Sequence, residues 1–121
     1  MPPAILVNVK EILDSDSLLT ADNLHQLENA AAGSQLTELR QYVGDLIRRL
    51  DSGEKSEAVL ARAGVGSYLL SRQSQADRFL SQVTRDGVAM FVHGQCLTSL
   101  NRPDDAAARF DAASKAGFDP V

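Results

Sequence analysis

The strongest constraint on this chain is that its second half repeats itself. Laid over itself at an offset of 30 residues, it pairs Gly64 with Gly94, Leu70 with Leu100, Arg72 with Arg102, Ala76 with Ala106 and Leu80 with Phe110. A unit this short cannot bury all its apolar surface alone, so copies stack and share a core, which leaves few architectures open. Breaks fall at "DSDS" (14–17), "GS" (33–34), "DSGEKS" (51–56), "SRQS" (71–74), "RDG" (85–87) and "NRPDD" (101–105). Between them apolar residues recur every three or four positions, the spacing of a helical stripe. Ile5, Val9, Ile12 and Leu13 mark a first helix, Leu24, Leu27 and Ala31 a second, and Leu36, Leu39, Val43, Leu46 and Leu50 a third. No stretch alternates with period two. The expected fold is all-α, with helices over 4–13, 21–32, 35–51, 55–71, 75–85, 88–100 and 104–116. Thr20 and Ser34 are the expected N-caps of the second and third helices, and Gly33 and Gly53 their stops.

The 121 residues suit one domain spanning 1–121, with N-terminal helices in 1–52, a degenerate repeat in 53–86 and a clearer one in 87–120. A net charge of −4 excludes a dedicated nucleic-acid binder, which needs a basic face to displace counterions. The one basic cluster, Arg40, Arg48 and Arg49, is interleaved with Glu38, Asp45 and Asp51 and reads as a solvated helix face. A lone cysteine makes no internal disulfide. The start, "MPPAILVNVKEIL", lacks the basic region of a signal peptide, and no apolar run reaches the ~20 residues of a membrane span. A cytoplasmic protein that touches neither membrane nor nucleic acid is the expectation.

The repeat resembles the tetratricopeptide repeat, whose pattern is W-x2-L-G-x2-Y, then A-x3-F-x2-A, then proline. Residues 87–120 supply Met90, His93, Gly94 and Leu97, then Ala106, Phe110 and Ala113, then Pro120. Met90, His93 and Leu97 depart from the Trp, Leu and Tyr of the pattern, and Pro120 comes two residues late. The upstream copy is looser: Leu60, Ala63, Gly64 and Ser67, then Ala76, Leu80 and Val83. Its period of 30 requires a trimmed second helix or loop. The resemblance covers about half the chain and leaves 1–52 unmatched. It implies a superhelix of helical hairpins in which Gly and Ala let two helices cross closely and Phe110 fills the wedge beside them.

His93 and Cys96 stand at H-x2-C, but a zinc site needs about four ligands and His25 is remote in sequence. The resemblance puts His93 between helices, as a structural residue, and Cys96 reads as a small buried hydrophobe. Asp104 and Asp105 follow Pro103 in a helix's first turn, where carboxylates complement the dipole. No nucleophile elbow occurs, and the GxG of "AGVGSY" (63–68) follows no strand. Histidine phosphotransfer in a helical bundle is a remote alternative, since neither His25 nor His93 is followed by the lysine and glycine usual there. The expectation is a non-enzyme without cofactor or metal.

What the resemblance implies instead is protein–protein interaction through the first helix of each hairpin. The implied stripes are Ala58, Ala61, Val65, Tyr68 and Arg72 upstream, and Val88, Phe91, Gln95, Thr98 and Arg102 downstream. Relatives that grip acidic chaperone tails carry lysine and asparagine on the first such stripe. Ala61 and Val65 stand there in this chain, so no carboxylate clamp is implied. The competing expectation is an architectural or dimerisation segment of a larger helical-repeat assembly. Because solenoids need about three repeats and a polar cap, Val92, Cys96, Ala108, Ala112 and Phe118 are expected to be partly bare, and covered by a second copy or by further sequence.

Overall fold

The structure, a computed structural model, describes residues 6–118. Within them the chain is all-α, without a strand. Seven helices follow in order: α1 (Val9–Asp14), α2 (Ala21–Ala32), α3 (Leu36–Asp51), α4 (Glu57–Leu69), α5 (Gln73–Leu80), α6 (Gly87–Ser99) and α7 (Pro103–Lys115).

Local chemistry sets the boundaries. The first helix begins at Val9 rather than residue 4, because the Asn8 side chain caps it by accepting from the Glu11 amide at 3.1 Å. Val7 is tied elsewhere: its N–H donates to Gln35 Oε1 at 2.8 Å and its carbonyl accepts from Gln35 Nε2 at 2.7 Å. Ile5 lies outside the described residues. Thr20 caps α2 in a reciprocal box with Asn23, as its sequence position predicts. Ser34 does not cap α3. Gln35 holds that position with its side chain committed to Val7, and the helix starts uncapped. Gly53, at φ +109°, ends α3, and the amides of Gly53 and Glu54 return to the Leu50 and Arg49 carbonyls.

The closest packing pairs α4 with α5 and α6 with α7. The two hairpins share one crossing. A Cβ on Gly64 would stand 2.5 Å from Leu80 Cγ, and one on Gly94 2.5 Å from Phe110 Cε1. They also share one turn. Ser71 (φ 63°) and Asn101 (φ 60°) take the left-handed conformation, and the next amides, of Arg72 and Arg102, return to Ser67 and Leu97. A third correspondence lies between layers. A Cβ on Gly66 would meet Val43 of α3 at 2.4 Å; thirty residues on, the Cys96 thiol donates to the Gln73 carbonyl of α5 at 3.1 Å. Helix α3 therefore lies against α4 as α5 lies against α6.

The short spacing is met inside α5, which has 8 residues where α7 has 13. It ends at Leu80 rather than near 85, since Glu57 takes the amides of Thr84 (2.7 Å) and Arg85 (3.2 Å) that a longer helix would use itself.

One apolar cluster runs from Val9 to Ala113. Leu13, Leu27, Leu39, Leu80 and Leu97 are almost wholly enclosed, each worth about 1.5–3 kcal/mol of burial. Val92 and Cys96 are buried too, contrary to the expectation of a bare end, because α6 is packed by α4, α5 and α7. Phe118 turns back after Gly117 (φ 92°) to stack on Phe91, with ring centroids 5.1 Å apart. Of the expected patch, Ala108 remains exposed, while Ala112 and Phe118 are half-buried. Pro120 lies outside the described residues.

Candidate functional site

The α5–α6–α7 junction holds the polar cluster nearest to chemistry. His93 is nearly enclosed and both its nitrogens are engaged. Nε2 lies 2.7 Å from Asp77 Oδ1, and Nδ1 accepts from Arg109 Nε at 2.8 Å. Since Arg109 can only donate, the proton of neutral His93 sits on Nε2 and points at Asp77. Burial lowers the His93 pKa, Asp77 opposes that shift, and Arg109 adds to it. A second guanidinium nitrogen of Arg109, Nη2, reaches the Leu80 and Val83 carbonyls at 3.1 and 2.9 Å. Arg102 ties Asp77 to Asp105 at 3.0 and 2.9 Å.

A histidine between a carboxylate and a cysteine-bearing turn has the composition of a nucleophile relay, but not its geometry. The Cys96 thiol donates to a backbone carbonyl, no lone pair of His93 is left to take its proton, and burial raises its pKa. Such a thiol stays protonated and unreactive. Among the described residues no group of three or more His, Cys, Asp or Glu is arranged to hold a metal. Nor is any described helix long and apolar enough to cross a membrane.

The first-helix stripes divide in two. Ala61 and Val65 are 0 % exposed and Val88 4 %. Val65 and Val88, read from the sequence as partner-binding, are core residues: α4, which carries Val65, is packed by α2, α3, α5 and α6, and α6, which carries Val88, by α4, α5 and α7. Tyr68, Phe91 and Gln95 are half-buried, while Arg72, Thr98 and Arg102 are exposed. Thr98 Oγ1 donates back to the Gly94 carbonyl. Phe91 packs between Phe110 and Phe118, at 5.4 and 5.1 Å. The accessible face therefore begins at Tyr68 and Phe91 and continues towards the C-terminal ends of α4 and α6.

Comparison with protein-family models, with curated proteins and with solved structures yields no significant match. The chain's own geometry is thus what a functional reading must rest on.

Two further residues stand out that sequence reading passes over. Arg62, on the same side of α4 as Ala58 and Val65, is 1 % exposed. Its guanidinium donates to the carbonyls of Ile12 (2.7 Å), Ser17 (2.7 Å) and Ala58 (3.3 Å). Asp86, 2 % exposed at the start of α6, accepts from the Leu19 amide at 2.9 Å and the Ala89 amide at 3.0 Å. One signal was available. Arg62 is the lone charge in the run 58–70, where a helix that is apolar all round must satisfy it internally.

Proposed function

We propose that the chain is a protein-interaction module built of tetratricopeptide-like hairpins, binding a peptide or helix of a partner through Tyr68, Phe91 and Gln95. The observation that carries this reading is the recurrence, thirty residues apart, of one glycine crossing and one left-handed turn. Such recurrence sets α4 and α6 side by side, with Tyr68 and Phe91 as their half-buried, partly accessible aromatic residues. Aromatic side chains supply large contact area at small entropic cost and are frequent anchors of binding energy. The exposed Arg72 and Arg102 follow that face at the ends of α4 and α6, Arg102 already paired with Asp77 and Asp105.

A second reading, a purely architectural role within a larger helical assembly, draws support from the enclosure of Ala61, Val65 and Val88. The two separate on one experiment. Affinity capture followed by mass spectrometry compares the parent with Tyr68→Ala/Phe91→Leu/Gln95→Ala, where leucine spares the packing against Phe110. A partner held by the parent and lost from the folded variant is the expected result. The same proteins recovered by both would count against the face and for the architectural role.

A further inference from the structure

We propose that residues 15–20 are a ligand held in cis, and that Arg62 and Asp86 form a backbone-reading site for an extended peptide of the pattern acidic-x-x-Leu from another protein. The segment joins α1 to α2 without helix or strand of its own. Its ties to the repeats are made by main-chain atoms: the Ser17 carbonyl to Arg62 and the Leu19 amide to Asp86. The serine hydroxyls add nothing across the junction, since Ser15 and Ser17 pair with each other at 2.7 Å. Only Leu19 is enclosed, at 5 %, while the neighbouring Leu18 is 59 % exposed. This is how a groove recognises an extended peptide: fixed side chains read a carbonyl and an amide two residues apart, and one pocket reads a leucine.

The receiving groups are also held from outside the segment. Arg62 keeps the carbonyls of Ile12 in α1 and Ala58 of its own helix, and Asp86 caps α6. If the segment leaves, a guanidinium and a carboxylate remain short of partners beside an apolar pocket, and a vacated pair of that kind favours recapture of a peptide backbone. Of the segment's side chains Leu19 alone is buried. A cleft of about 340 Å³ opens between it, α1 and α2, and another of about 150 Å³ between it and the starts of α4 and α6. Few buried contacts and flanking clefts mark the parts of a protein that open below the global unfolding free energy. Asp16 and Arg85 line the smaller cleft together, which supports the acidic residue in the pattern.

The site shares no residue with the Tyr68–Phe91–Gln95 face, so either assignment can fail alone. The test uses the full chain and a fluorescein-labelled peptide, ILDSDSLLT, copying residues 12–20. In the parent, apparent affinity is reduced by the fraction of molecules in which the segment is open. Leu19→Ser removes the anchor and raises that fraction about ten- to a hundredfold. Fluorescence anisotropy is expected to show the peptide binding Leu19→Ser at least ~10-fold more tightly than the parent. A peptide with serine at the position of Leu19 is expected not to bind. Hydrogen exchange on the parent serves whether or not the variant folds. The Leu19 amide is expected to exchange much faster than the Ala89 amide, although both bond to Asp86. Exchange of both at the global unfolding rate would overturn the proposal. So would equal peptide binding by parent and variant, or a Leu19→Ser chain that self-associates without taking up peptide.

Discussion

Replacing Gly94 and Gly44 by alanine should shift stability in opposite directions. Both lie inside helices, where alanine is preferred over glycine by about 1 kcal/mol. At Gly44 the added methyl comes no closer than 3.7 Å, to Arg48 Nη1 at the flexible end of a side chain. Gly44→Ala should therefore stabilise by about the full propensity difference. At Gly94 the methyl would stand 2.5, 2.7 and 2.9 Å from Cε1, Cδ1 and Cζ of Phe110. That ring cannot swing aside freely, because Phe91 lies against it at 5.4 Å. Overpacking of this kind costs about 1–3 kcal/mol, which outweighs the helix gain and leaves Gly94→Ala about 1 kcal/mol less stable than the parent. The two variants should then differ by about 2 kcal/mol, or some 6–10 °C in Tm for a chain of this size. Thermal melts by circular dichroism measure it, and Gly94→Ala/Phe110→Leu should recover much of the loss. A Gly94→Ala chain that melts above the parent, as Gly44→Ala should, would refute the close crossing of α6 and α7.

Two other expectations follow from the same junction. Phe110→Ala should cost about 2–3 kcal/mol in urea unfolding, below the ~3–5 of a fully enclosed phenylalanine because the ring is half-buried; a midpoint equal to the parent's would break the pairing. His93 is held neutral in the fold with its pKa depressed, so between that value and the ordinary ~6.5 only the unfolded chain takes up a proton. Its contribution is whole above ~6.5 and is lost as pH falls, by up to about 1.4 kcal/mol per pH unit. Urea midpoints from pH 7.5 to 5.5 should decline, and His93→Gln should flatten that slope; an already flat parent would contradict the neutral histidine.

The hairpins were legible in the sequence because their crossing needs a residue without a side chain, and Gly64 and Gly94 announce it together with Leu80 and Phe110. Thr20 was legible for a similar reason, since a cap is a local event. The breaks at 71–74 and 101–105 were legible, but not the left-handed backbone at Ser71, since glycine or asparagine normally flags that conformation and only Asn101 supplies it. What lies over α4 was not legible either. Stripe spacing places Val65 on the face of a first helix, but α2 and α3 dock alongside that helix, and nothing in residues 54–117 encodes that. Asp86 was passed over because its second bond, to Leu19, joins residues 67 apart in sequence.

The reach of Arg109 across layers bears on the order in which this chain can assemble. Helix α5 has only 8 residues, too few to persist alone in water, and carbonyls at and just beyond its C-terminal end are satisfied by a cation carried on α7. The first hairpin is thus finished by the second. The last turn of α5 should therefore order only when α7 docks, which low φ-values there would register. In the opposite direction, peeling α7 away takes Arg109 from the Leu80 and Val83 carbonyls, so the end of α5 should fray while α4 still holds its body.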